Sequence, residues 1–190
     1  MDELTSLARA AGRGDRAALA RLVGQTQGDV WRLCAHLVDP ASADDLAQET
    51  YLRAIPELGK FRGDAPVRIW LLTIARRTCA AEIASRSKDR QVAARLAVMP
   101  EAATGQQPSE PGAQPLAASL LASLDPDRRA AFVLTQMLGC SYAEAAEICG
   151  CPVGTIRSRV ARAREDLDVI AAEHAGRREP GAAQACGHDG

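Results

Sequence analysis

Aromatic side chains are scarce in this chain: two Trp, two Tyr and two Phe, 3% of 190 residues. Runs of β-branched residues are equally sparse, so the core must be built from alanine and leucine, which favours packed helices over sheets. No apolar run approaches the ~20 residues a membrane span needs. The opening stretch, MDELTSLARA, has two acids and no apolar segment, so no export signal is expected and the protein should be soluble and cytoplasmic. An excess of either charge is also missing, the formal net charge being -1, so any polyanion-binding surface must be local. The six cysteines include no C-x-x-C pair. Cys149 and Cys151 are one residue apart, too tight for the usual zinc pair, and no second ligand pair with zinc spacing exists. Cys34, Cys79 and Cys149 fall in helical patterns, where a reduced thiol acts as a small hydrophobe. No metal and no cofactor are expected.

What the chain does contain centres on residues 141 to 167, SYAEAAEICGCPVGTIRSRVARAREDL. Ser141 with Glu144 three residues on is a capping box, which starts a helix at Tyr142. Gly150 can adopt a positive φ and end it. Pro152 suits the first turn of a second helix. The pair is a helix-turn-helix. At 100° per residue Val153, Ile156, Val160, Ala163 and Leu167 fall on one stripe, the expected buried one. Thr155, Ser158, Arg159 and Arg162 project away from it, with Arg157 and Arg164 on the flanks. From 152 to 164 there are four arginines and no acid. A one-signed face of Arg, Thr and Ser suits phosphates and base edges in a DNA major groove.

Two further stretches carry opposite charge. From 39 to 58 five acids oppose one base, Arg53. On the helix expected there, capped by Ser42 and ending near Ile55, the residues Asp45, Gln48, Glu49 and Leu52 share a face. An exposed leucine ringed by acceptors suits a basic protein partner. From 60 to 90 eight bases oppose three acids. Here Phe61 to Ala65 reads as a loop and Pro66 as the start of a helix reaching about Ser85, with Trp70 expected in the core. Adjacent aspartates on a helix could instead hold Mg²⁺ for diphosphate chemistry, but the chain has neither a second carboxylate cluster nor room for a large apolar pocket.

The organisation is bipartite. A short helix over Leu4 to Ala11 and a longer one capped by Asp15, with a kink near Gly24 to Gly28, precede the acidic helix. Four of the ten prolines fall between 91 and 115, which marks a flexible linker able to span about 80 Å when extended. Beyond it a helix is expected at Ala118 to Leu124, then one capped by Asp125-Pro126 and ending at Gly139. The expected layout is therefore a first helical domain over 1–90, a linker over 91–115, a second over 116–173 and a disordered tail over 174–190, all-α throughout.

Taken in order, DDLAQETYLRA, KFRGDAPVRIWLLTIARR and SYAEAAEICGCPVGTIRSRVARAR resemble the extracytoplasmic-function (ECF) sigma factors, over about residues 5–90 and 116–170, with similarity to the actinobacterial SigC-like subgroup. The resemblance implies a non-catalytic initiation factor that binds core RNA polymerase and directs promoter-specific initiation. Asp45, Gln48, Glu49 and Leu52 would dock on the β′ clamp helices. Arg62, Gly63, Asp64, Arg68, Arg76 and Arg77 would read and help melt the −10 element. Thr155, Arg157, Ser158, Arg159, Arg162 and Arg164 would take the −35 element, while the second domain contacts the β flap. In such factors a loop pocket captures the single strand, which fits a chain short of aromatics. An anti-sigma factor is a common partner in the family, and no membrane is involved. One departure stands out: Ala65-Pro66-Val67 occupies the place of the family's usual Ser or Thr cap and aromatic, so the usual −10 base preference does not transfer directly. The alternative is a stand-alone helix-turn-helix regulator, which would leave the acidic helix and the linker unexplained.

Overall fold

The computed structural model describes residues 2–97 and 116–176; among them all regular structure is helical. Helix α1 spans Glu3–Gly12 and α2 spans Arg16–Leu37. A 3₁₀ turn, Pro40–Ser42, leads into α3, Ala43–Glu57, and another, Leu58–Lys60, leads to the loop before α4, Val67–Ala97. The second part has α5, Leu116–Ala122, then α6, Pro126–Phe132, which widens into a π turn at Val133–Met137. It ends with α7, Tyr142–Cys149, and α8, Val153–Gly176.

Local chemistry accounts for most of these boundaries. Asp2, Asp15 and Asp125 each accept hydrogen bonds from first-turn backbone N–H groups, and Pro126 sits where its missing N–H is not needed. The capping box forms: the Glu144 N–H donates to Ser141 Oγ at 3.2 Å and the Ser141 N–H to Glu144 Oε2 at 2.7 Å. That donation holds the Glu144 carboxyl below its ordinary pKa. Gly150 takes φ +64° and closes α7 in the left-handed region.

Several expectations are corrected. Helix α2 runs without a break past Gly24 and Gly28, because Leu22, Thr26, Val30 and Leu33 form one continuous buried stripe. Ser42 stands at the N-cap position of α3, as expected, but its side chain makes no capping bond: Asp39 accepts from the Ser42 N–H at 2.8 Å, and the Ser42 hydroxyl accepts from Arg86. Helix α3 carries Pro56 within its last turn, where only one intrahelical bond is lost. Helix α4 continues twelve residues beyond Ser85, sustained by the helix formers after Lys88 and by Glu82–Arg86 pairing at 2.6 Å, where no apolar periodicity remains to show it. Helix α5 starts two residues before the expected Ala118, and α8 runs to Gly176, so 174–176, expected to open a disordered tail, are helical. On α8, Ile156, Val160 and Ala163 are buried, but Val153 is 37% exposed because it occupies the first turn. Of the expected linker, 98–115 lies outside the described residues, as does the tail from 177; residues 91–97 belong to α4.

Helices α1 to α4 pack as one unit. Leu7, Ala8, Leu22, Ala54, Leu58, Val67 and Leu71 form its outer core. Its other core does not close on itself. Val30, Leu33 and Leu37 of α2, Leu46 of α3, and Ile69, Leu72 and Cys79 of α4 continue into Ala131, Leu134, Ile148, Ile156 and Val160 of α6 to α8. The two units, expected to stand apart on a tether, are closed on a shared core, with α4 against α7 as the widest part of the seam.

Three arginines bridge that seam by donating to backbone carbonyls at helix ends. Arg68 donates to the Leu138 carbonyl at 2.7 Å while pairing with Asp29 at 2.6 Å. Arg76 donates to the carbonyls of Ile148 at 3.0 Å and Cys149 at 3.2 Å, the C-terminal end of α7. Arg129 reaches back from α6 to the Leu37 carbonyl of α2 at 2.9 Å. Hydrogen bonds from charged donors contribute about 1.5–3 kcal/mol each. Replacing all three arginines by alanine should therefore enlarge the radius of gyration in small-angle scattering while circular dichroism shows the helices retained; an unchanged radius would mean that the apolar core alone holds the units together.

Candidate nucleic-acid interface

The acidic face of α3 is built as the sequence pattern requires. Ala43, Leu46, Thr50 and Ala54 face inward, which leaves Asp45 and Gln48 exposed, Glu49 half-buried and Leu52 61% exposed. Glu49 pairs with Arg53 one turn on at 2.7 Å. Beside this face lies a groove of about 660 Å³ between α2 and α3, lined by Val23, Trp31, Asp44, Gln48 and Tyr51 among others. Tyr51 Oη is held 2.8 Å from Thr26 Oγ1, which fixes one wall. Trp31, 38% exposed, is a residue that sequence reasoning missed; its signal was a large aromatic on the polar side of α2, next to Arg32.

The basic stretch divides between two faces of α4. Successive side chains on a helix advance by 100°, so Arg68, Leu72, Arg76 and Cys79 share one face while Trp70, Thr73, Ile74 and Arg77 share another. The first face is the seam, and Arg68 and Arg76 are engaged there. The second, with the loop Phe61 to Ala65, lines a pocket of about 410 Å³. Arg62, Gly63, Asp64 and Arg77 all border this pocket, so four of the six expected −10 residues converge and two turn away. Trp70, expected in the core, is half-buried and lines the pocket, its ring centroid 5.2 Å from that of Phe61. Glu147 of α7 adds an acid to a lining that also holds Lys60, Arg62 and Arg77.

On α8 the buried stripe turns Arg157, Ser158, Arg162 and Arg164 outward, with Thr155 half-buried. Arg164 donates to Gln136 Oε1 at 2.7 Å. Arg159, 24% exposed, is tied to Asp127 and lies 3.6 Å from Cys151 Sγ. The outward cationic face is thus carried chiefly by Arg157 and Arg162, in the first three turns of the helix, as major-groove readers place it.

Two family models match the chain: Sigma-70 region 2 over residues 22–89 and Sigma-70, region 4 over residues 116–167. The ECF RNA polymerase sigma factor SigC of Mycobacterium tuberculosis is 46% identical over 169 residues, spanning 87% of this chain and 90% of that protein. The chain belongs to the ECF sigma factors. As a member of this family it serves promoter-specific transcription initiation and binds DNA. The RNA polymerase sigma-H factor of Pseudomonas aeruginosa is 34% identical, covering 82% of this chain and 87% of that one. Among solved structures, the complex of CnrH with the cytosolic domain of CnrY aligns with a TM-score of 0.68 at 28% identity, over 90% of this chain and 99% of CnrH. The complex of the sigma factor RpoE with the anti-sigma factor NepR from Bartonella quintana gives 0.64 at 29%, over 81% and 96%.

Among the described residues, no cluster of three or more Cys, His, Asp or Glu could hold a metal ion, and no helix is long and apolar enough to cross a membrane. Cys34 and Cys79 are fully buried in the shared core, and Cys149 is half-buried at the seam. Burial pushes the Cys149 thiol up to about 11, against the pull of Arg76 and Arg159. Since the thiolate is the reactive form and appears only as pH approaches that value, alkylation of Cys149 should still be accelerating at about pH 9.5, where an ordinary thiol has levelled off. Peptide mass spectrometry after timed iodoacetamide exposure checks this; a rate that has levelled off by about pH 9.5 would contradict it.

Proposed function

We propose that the three exposed faces are the three contact surfaces of initiation. Asp45, Gln48, Glu49 and Leu52, extended by Trp31, dock on the β′ clamp helices of core RNA polymerase. The loop pocket with Arg62, Gly63, Asp64 and Arg77 takes the non-template strand of the −10 element. The outward residues of α8, Thr155, Arg157, Ser158, Arg162 and Arg164, enter the −35 major groove, with Arg159 joining them once released from Asp127. The second unit also meets the β flap.

One observation carries the reading: acidic and cationic surfaces are segregated on separate helices, the acidic one around an exposed leucine and the cationic ones around a pocket and a groove-sized helix. A partner that is a basic protein on one side and a polyanion on another accounts for both. Arg68 and Arg76 complete the −10 surface only when the seam opens, so the closed form is the polymerase-free form. The protein itself makes and breaks no bonds; the polymerase does, in the cytoplasm. Because the similar chains CnrH and RpoE are captured with CnrY and the anti-sigma factor NepR, an anti-sigma partner fits this chain.

Run-off transcription with purified core enzyme on a promoter library tests the function. Transcripts should appear only when the protein is added and should share two spaced motifs; binding of a palindrome without core would point to a stand-alone regulator. Arg162→Ala should weaken −35 binding by about 1–3 kcal/mol and, where it meets phosphate, lower the slope of log affinity against log salt by about one. Charge reversal at Glu49 should weaken core binding at least several-fold and flatten its salt dependence, because one attractive charge contact is lost, with the melting profile unchanged; equal affinity would remove α3 from the docking surface.

A further inference from the structure

The loop that borders the pocket has no regular structure of its own, yet it is held from outside. Helix α1 lies beyond the segment that matches region 2, and it touches the 58–67 segment at three points. Gly12 abuts the start: a Cβ there would lie 2.4 Å from the Leu58 carbonyl oxygen, so only glycine permits the approach. Thr5 Oγ1 accepts from the Val67 N–H at 3.3 Å, at the end of the loop and the first turn of α4. Between them Arg9 Nη2 donates to the Arg62 carbonyl at 2.6 Å. The same guanidinium lies against Gly63, whose φ is +78°; a Cβ on Gly63 would be 2.7 Å from Arg9 Nη2. Helix α1 is itself anchored by the buried Leu7 and Ala8.

We infer that Arg9 is a positioning residue for capture of the single-stranded −10 element: it holds the Arg62–Asp64 loop in the conformation that receives the strand. An arginine suits the task because its planar fork can donate to a carbonyl while its face covers a glycine. The bond lies on the surface, so it contributes little to global stability and instead sets the fraction of molecules whose loop is ready to bind. Apparent affinity scales with that fraction. The inference rests on the loop being the −10 surface proposed above.

The test uses holoenzyme assembled from the full chain and core polymerase, with two DNA fragments of a promoter taken from the library. One is a fork with duplex −35 and single-stranded non-template −10; the other is fully duplex. Arg9→Ala should bind the fork about tenfold more weakly, with core affinity, duplex binding and the melting midpoint as in the wild type. Arg9→Lys, which restores a single donor, should recover part of the loss. A double variant, Arg62→Ala with Asp64→Ala, reports on the loop independently. If the double variant loses the fork and Arg9→Ala does not, Arg9 has no positioning role and the loop assignment stands. If the double variant binds the fork normally, the loop assignment fails and this inference with it. A loss in Arg9→Ala that is matched by weaker core binding or a lower melting midpoint would reduce Arg9 to general support of the fold, which also overturns the inference.

Discussion

A helix that ends inside a protein leaves carbonyl oxygens that need donors, and arginines bring those donors from across the seam. The Leu37 end of α2 takes Arg129, the Ile148–Cys149 end of α7 takes Arg76, and the π turn after α6 takes Arg68 at Leu138. The fit is electrostatic as well as geometric, because a helix C-terminus carries roughly half a negative charge. Arg129 shows what the arrangement costs: burial pushes its pKa down, and its Nε is buried without a partner among the described residues. Around these bonds the apolar faces of α2, α4, α6 and α7 merge into one core. Neither unit is covered on this side unless the other is present.

If Arg68 and Arg76 belong to the −10 surface, as proposed above, the same chemistry makes closure and promoter binding compete. A guanidinium satisfied by a carbonyl with a partial charge is still better satisfied by a phosphate with a full one. On that assignment, the carbonyl contacts of Arg68 and Arg76 close the chain and are open to exchange for phosphate. The exchange needs help, since it also uncovers Leu72, Cys79, Leu134 and Ile148. An apolar surface of that kind calls for another protein to cover it, so the proposed opening belongs with polymerase docking rather than with DNA alone.

Where the chain's own backbone decides a feature, the residues announce it. Asp15, Asp125-Pro126, the Ser141/Glu144 box and Gly150 were all legible, because a cap is a contact among residues two to four positions apart. The all-α class and the buried Ile156–Val160–Ala163 stripe were legible for the same reason, through periodicity. Long-range contacts were not. Nothing local distinguishes Arg76, bound to α7, from Arg77, which faces the pocket; one step of 100° on the same helix separates them. Ser42 looked like a cap until Arg86, on another helix, claimed its hydroxyl. Trp31 and Arg9 gain their roles from α3 and from the loop, which only the packed structure brings beside them.

Exposure then orders the events. As the chain stands, α3 presents Leu52 and its acceptors, α8 presents Arg157 and Arg162, and Glu147 lies at the edge of the pocket beside the Phe61 to Ala65 loop. Under the proposed assignment, docking of α3 and first contact of Arg157 and Arg162 with duplex DNA require nothing to move. On the same assignment, completing the −10 surface calls for α7 to leave α4, a displacement that would carry Glu147 out of the pocket and free Arg76, with Arg68 released as Leu138 moves away. The loop is held by α1 of its own unit, through Arg9 and Thr5, so those contacts do not depend on the seam. If that loop captures the strand, as proposed, an element anchored within its own unit would be ready when the seam opens, and capture would be coupled to the presence of polymerase.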